Sequence, residues 1–256
     1  MSPAPTRALV RPPGESYPLA LTRIEPPPGV DLDLARSQHA GYVAALERLG
    51  VQILELPPDD ALPDAVFVQD PVCVLDGRAI VGRAAMAARG GEAEALVSAL
   101  APLFPVIRLE APAALDWGDV LVADGALFAG LSARTNAAAL AQLRNLAGSA
   151  RTVEGVPVPE GLLHLLTGCS YLGERTVLAV SELEGFFRAR GYRVLPVAPG
   201  EAGSANVLTV GRDVVAPAGY PETAERMEEA GWRVQEVPIG EFEKRDGGVT
   251  CLSILF

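Results

Sequence analysis

Asp119-Val120-Leu121-Val122-Ala123-Asp124-Gly125-Ala126-Leu127-Phe128-Ala129 decides the fold. Two short apolar runs flank an Asp-Gly pair, and Asp-Gly readily takes the positive φ angles of a two-residue hairpin turn. A helical period follows from Asn136 to Leu146, then a single strand from Thr152 to Val156. Upstream, the same order is read in Val66 to Leu75, the turn Asp76-Gly77, Ala79 to Gly82, helix Gly91 to Leu100 and strand Val106 to Arg108. Downstream it returns in Ser170 to Ala179 with a turn at Gly173-Glu174, helix Glu182 to Arg190 and strand Tyr192 to Leu195. It returns once more in Asn206 to Pro217 with a turn at Gly211-Arg212, helix Glu222 to Ala230 and strand Trp232 to Val234.

The N-terminal segment supplies a fifth, variant copy. Ala8 to Arg11 reads as a strand, Pro12 to Pro28 as a Pro/Gly-rich loop that is either a lid or a surface connection, and Asp31 to Leu49 as an amphipathic helix closed by Gly50. Val51 to Leu56 then reads as a buried strand. A hairpin-plus-helix unit repeated roughly every 40 to 50 residues is the mark of a radial architecture. The expected fold is α/β, a five-bladed pseudo-symmetric propeller of strand-strand-helix-strand modules in one domain spanning residues 1–256. Its central channel, where turns and strand ends converge, is where a small-molecule site belongs.

Composition narrows the partners. A formal net charge of -11 and the absence of a Lys/Arg-rich run argue against nucleic acid. No apolar run reaches the length of a membrane span, and Met1 to Pro13 lacks the pattern of a signal peptide, so a cytoplasmic protein is expected. The three cysteines, Cys73, Cys169 and Cys251, are too scattered for a disulfide framework, and two histidines, His39 and His164, cannot build a multi-histidine metal site. Neither a metal nor another cofactor is expected. The chain is compatible with a homodimer.

Five groups of residues carry chemistry. Asp246-Gly247-Gly248-Val249-Thr250-Cys251 places a thiol behind two glycines, which let backbone approach a ligand closely; a cysteine that merely fills the core is the plain alternative. His164, in the apolar and strand-like run Gly161 to Leu166, is either a hydrogen-bonded core histidine or the proton donor and acceptor that a thiol nucleophile needs. Asp116 and Asp119 flank Trp117-Gly118 before a strand, where both carboxylates are expected to face a ligand approached through Gly118, although a turn and its cap would use the same residues. Asp64 and Asp70, around Phe67-Val68-Gln69, are expected to face one cavity and favour a cationic ligand. Arg89 and Arg134 stand in the hairpin-to-helix loops of successive modules, as ordinary solvated charges or as forks for a carboxylate. Carboxylates for a cation and arginines for an acid describe an amino acid with a cationic side chain.

These residues resemble one family, the dimethylarginine dimethylaminohydrolases of the pentein, or guanidino-modifying, superfamily. The likeness runs through Pro63 to Asp70, Gly118-Asp119-Val120-Leu121, Ser132 to Asn136, His164-Leu165, Pro217 to Pro221 and Gly247 to Cys251. It implies a five-bladed α/β propeller with Cys251 as nucleophile and His164 as general acid and base. Asp116 stands where the family usually has glutamate as the acid of the triad. The resemblance further implies that Asp70 binds guanidinium nitrogens, Asp64 the substrate's α-amino group, and Arg89 and Arg134 its carboxylate. Gln69 replaces a glutamate beside the guanidinium-binding aspartate. The implied reaction converts N-methylated arginine to citrulline and an alkylamine through a covalent cysteine thiouronium. The alternatives are a hydrolase of arginine or another guanidino compound, and a non-catalytic member such as ribosome-binding translation initiation factor six.

Overall fold

The structure, a computed structural model, describes residues 5–85, 89 and 91–256. Gly90, in the Arg89 loop, and the first four residues of the Met1 to Pro13 segment lie outside the described residues. Among the described residues, fifteen strands form five sheets of three. One blade is β3 (Val72–Leu75), β4 (Arg78–Val81), α2 (Ala93–Leu100) and β5 (Val106–Arg108), and the next is β6 (Val120–Ala123), β7 (Ala126–Leu131), α3 (Ala137–Ala147) and β8 (Thr152–Pro157). After α4 (Leu165–Gly168) come β9 (Cys169–Gly173), β10 (Thr176–Ala179), α5 (Ser181–Arg188) and β11 (Arg193–Pro196). The blade of β12 (Leu208–Val210), β13 (Asp213–Pro217), α6 (Pro221–Glu229) and β14 (Arg233–Val237) follows. In each, the first two strands pair antiparallel and the third joins parallel after the helical crossover.

The fifth blade is shared by the two ends of the chain. Strand β1 (Arg7–Val10), helix α1 (Leu32–Arg48) and β2 (Gln52–Glu55) take their missing first strand from β15 (Ser253–Leu255), with Leu9 opposite Ile254 and Val10 opposite Ser253. Pairing of the ends closes the ring. First strands of neighbouring blades approach one another, β15 near β3, β6 near β9 and β9 near β12, while the helices pack toward the third strands. The first strands therefore surround the axis. Apolar burial is divided among clusters seated within and between blades; in one, Phe128 meets Phe186, Phe187 and Tyr192 edge-on at 5.4–5.8 Å.

Local signals explain the boundaries. Asp31 caps α1 by accepting from Leu34 N at 3.0 Å, and Gly50 stops it at φ +81°. Asn136 caps α3 in the same way, accepting from Ala139 N at 3.0 Å. Three expectations change. Val51 to Leu56 is not a buried strand, because β2 is the outer strand of its sheet and Gln52 and Glu55 are exposed. Val66 to Pro71 is not strand: Phe67 N bonds back to the carbonyl of Asp64 and Val68 N to that of Val66, both at 3.0 Å, and this coiling forms turns at the axis. His164 lies not in a strand but directly before α4, as its N-cap residue. Strand β15 and the short helix α7 (Gly240–Glu243) carry too few residues to give a period.

Candidate active site

Cys251 sits in a 3-10 turn, Val249–Leu252, immediately before β15. The preceding glycines serve packing between segments. A Cβ on Gly247 would lie 2.4 Å from a ring carbon of Phe67, and one on Gly248 would lie 2.3 Å from Asn206 Oδ1. Asn206 went unnoticed in the sequence, yet it ties the nucleophile's turn to the segment that carries His164. Its Nδ2 donates to Leu166 O at 2.9 Å and to Thr250 Oγ1 at 2.8 Å, and its Oδ1 accepts from Thr250 N at 3.1 Å. A lone Asn before a strand gives no sequence signal for such a tie.

His164 and Asp116 face each other with Nε2 and Oδ2 3.2 Å apart. Glycine at 118 is required here, since a Cβ would stand 2.5 Å from His164 Nδ1. The stretch Trp117–Asp119 is a 3-10 turn and not extended chain, so the two nearby aspartates diverge. Asp116 turns to the imidazole, whereas Asp119 accepts from Leu165 N at 3.0 Å and from Ser132 Oγ at 2.6 Å and holds α4 in place. Burial opposes charge on both Asp116 and His164, but their mutual contact outweighs it. Asp116 is held below the ordinary carboxylate range, with help from Arg89 and Arg134, and His164 is raised above its usual value.

A cavity of about 170 Å³ reaches Cys251 and His164 and is lined also by Asp64, Asp70, Arg89 and Arg134. Six of the eight residues singled out in the sequence therefore meet in it. Asp116 stands just behind, against His164. Gln69 does not line it: its Nε2 donates to Trp117 O at 2.9 Å, and its backbone N donates to Cys251 O at 3.3 Å. Asp70 presents one oxygen to Arg89 at 2.8 Å, while its other oxygen is buried without a partner. Burial, followed by the charge of Asp116, raises Asp70. Asp64 accepts from Leu21 N at 3.3 and 3.4 Å.

The arginines differ. Arg89 is buried and its fork is occupied, with 2.7–3.0 Å bonds to Glu92 besides the one to Asp70. Arg134 is less enclosed and touches Asp116 at 3.4 Å. A third, Arg245, also lines the cavity and was missed. Its guanidinium donates to Pro18 O at 2.6 Å, within the N-terminal loop, and to Pro28 O at 3.0 Å, at its end. That loop closes over the cavity through Leu21, Thr22 and Arg23, and Arg23 N donates to Asp246 Oδ2 at 2.7 Å. The N-terminal loop is thus bonded to two consecutive residues, Arg245 and Asp246, just before the turn of Cys251.

Ligand atoms of Asp70, Asp116 and His164 lie within 4.8 Å of one another, close enough for a metal ion. The Arg89 guanidinium already stands 2.8 Å from Asp70 and 3.6 Å from Asp116, so this acidic group has its counter-cation. Burial pushes the Cys251 thiol up to about 12; Asp70 and Asp116 act in the same direction, and the Gly248 N–H, 3.5 Å from Sγ, acts against them. The resting thiol is neutral at pH 7. A cation bound against Asp70 would favour the thiolate.

A thiol beside an imidazole–carboxylate pair, at the axis of a closed five-bladed α/β ring, defines a pentein. Comparisons with known proteins narrow the class. No protein-family model matches the chain. It is 37% identical over 254 residues to the N(G),N(G)-dimethylarginine dimethylaminohydrolase of Streptomyces coelicolor, covering 97% of this chain and 96% of that one. With the enzyme of the same name from Pseudomonas aeruginosa the identity is 36% over 234 residues, covering 88% and 90%. The solved structure of a cysteine-to-serine mutant of the Pseudomonas enzyme complexed with citrulline superposes with a TM-score of 0.94 at 33% identity, over 99% of this chain and all of that one. The chain belongs to the dimethylarginine dimethylaminohydrolase family.

Proposed function

We propose that this protein hydrolyses N-methylated arginine, asymmetric dimethylarginine and monomethylarginine, to citrulline and an alkylamine. The observation that carries this reading is the meeting of Cys251, His164, Asp70 and Arg134 in one cavity, with Asp116 on the far side of the imidazole. The unpartnered oxygen of Asp70 is an acceptor for guanidinium nitrogens. Asp64 receives the α-amino group, and Arg134, with the bound Arg89 behind it, receives the α-carboxylate. Gln69 acts from outside, by fixing the backbone of Trp117 and the turn of Cys251.

The guanidinium, once seated on Asp70, lowers the cost of ionising Cys251, whose proton passes to solvent, and the thiolate attacks the guanidinium's central carbon. His164, kept protonated by Asp116, gives its proton to the departing nitrogen; the C–N bond breaks and an S-alkylthiouronium remains. Neutral His164 then takes a proton from water, the hydroxide adds to the same carbon, and the C–S bond breaks to release citrulline and the thiol. The reading places the reaction in the cytoplasm, consistent with three free thiols and with the absence, among the described residues, of a helix long and apolar enough to cross a membrane. Purified protein should release citrulline with a higher kcat/KM from dimethylarginine than from arginine. Faster turnover of arginine would transfer the chemistry to the arginine-hydrolysing alternative.

A further inference from the structure

A second cavity, of about 270 Å³, adjoins the first at the reacting pair: Cys251, His164, Leu163, Arg23 and Asp246 line both. Asn206, Thr250, Tyr220 and Glu243 line the second alone. Arg23 marks the seam, bonded on one side to Asp246 and on the other to Gly161 O at 3.3 Å.

Once His164, which lines both, has given its proton to the leaving group, the charged residues lining the two spaces differ in net sign. Arg23, Arg89, Arg134 and Arg245 oppose Asp64, Asp70 and Asp246 in the first, so arginines predominate. In the second, Arg23 alone opposes Glu243 and Asp246, so carboxylates predominate. Glu243 is held in place: the Tyr220 hydroxyl donates to its Oε1 at 3.0 Å, and among the described residues no donor is bonded to Oε2. Burial first, then the charge of Glu243, pushes the Tyr220 phenol up to about 12, so it remains a donor. Glycine at 203 makes this pairing possible, because a Cβ there would lie 2.2 Å from the Tyr220 oxygen.

The proposed reaction breaks a C–N bond beside His164 and transfers one proton to the nitrogen; the neutral amine released takes a second proton from water and is an alkylammonium at neutral pH. A cation formed at the seam is repelled by the arginine-rich cavity, which the amino acid and the lid also fill. The acidic cavity is open to it. We propose that the second cavity is the subsite for the N-alkyl substituent and the exit for the alkylammonium, with Glu243, oriented by Tyr220, as the carboxylate that receives it. This rests on the hydrolase reading above.

The test uses full-length protein, wild type, Glu243→Gln and Tyr220→Phe, with dimethylarginine as one substrate and S-methyl-L-thiocitrulline as the other. The second substrate would give the same thiouronium carbon but a neutral thiol leaving group. Dimethylammonium chloride is added as a product inhibitor, with sodium chloride at equal ionic strength as control. A charge-assisted contact in a partly open site is worth about tenfold in affinity. The expected result is that Glu243→Gln weakens inhibition by dimethylammonium about tenfold and lowers kcat/KM for dimethylarginine relative to S-methyl-L-thiocitrulline, with Tyr220→Phe shifting both in the same direction by less. Both quantities are ratios within one variant, so partial loss of folded protein does not alter them. An unchanged inhibition constant and an unchanged substrate ratio in Glu243→Gln would overturn the subsite while leaving the hydrolase reading intact. Failure of wild-type protein to turn over either substrate would overturn both.

Discussion

Cys169 and Cys251 occupy corresponding places, each where a blade's first strand begins, β9 in one case and β15 in the other. Both are buried, and both thiols are raised above their ordinary value by burial. Their surroundings differ in kind. Cys169 packs among Leu165, Leu183 and Phe187 with Leu165 O as its polar contact at 3.5 Å, and burial alone shifts it. Cys251 borders two cavities, feels Asp70, Asp116 and Arg89, and shares those cavities with an imidazole that Asp116 raises above its usual value. Enclosure therefore does not distinguish the proposed nucleophile from a core thiol. Neighbouring charge and adjoining space do.

The largest effect that could break this contrast is Cys251→Ser, which should abolish citrulline release. Cys169→Ser and Cys73→Ser should retain it, the former with a lower Tm because a hydroxyl replaces a buried thiol at a cost of about 1–3 kcal/mol. Activity surviving in Cys251→Ser would erase the distinction. Next comes His164→Ala, expected to lower kcat on the order of 10²-fold or more, the scale of acid and base assistance. Wild-type turnover in that variant would remove the imidazole from the reaction. Asn206→Ala leaves Leu166 O and Thr250 without partners, at roughly 1–3 kcal/mol for each group left unsatisfied. It should lower the urea midpoint and reduce kcat on the order of 10-fold, with KM little changed, because it misplaces Cys251 relative to His164. A fall in stability with kcat intact would make Asn206 purely structural. The smallest effect is one of pH. With Cys251 at about 12, thiolate forms only as pH rises toward that value, so alkylation of free protein by iodoacetamide should keep accelerating above pH 9. A plateau reached near neutrality would mean an ion pair that the burial of this thiol does not support.

The blades were legible because their signals are local. Asp-Gly at 76–77 and 124–125, helix caps at Asp31 and Asn136, and alternation between apolar runs and turns each act within a few residues. The axis was less legible because its segments leave that pattern. Val66 to Pro71 has the composition of a strand but coils, which carries Asp64 and Asp70 to the cavity. Leu162 to Leu166 is equally apolar, yet it breaks at His164 to start a short helix whose backbone is fixed by Asp119. Residue types identified Cys251, His164 and the acids, but not their partners. Asn206, Arg245 and the Glu243–Tyr220 pair act across 23 to 227 residues of chain. No periodicity records such contacts.

The most direct measurement is the mass of the covalent intermediate. His164→Ala protein, mixed with S-methyl-L-thiocitrulline, whose leaving group needs no acid, retains Cys251 but lacks the base that breaks the adduct down. After an acid quench and proteolysis, the account predicts the thiouronium mass on the peptide containing Cys251, with those of Cys73 and Cys169 unmodified. An adduct on either of those peptides, or none on Cys251 while citrulline is still released, would contradict it.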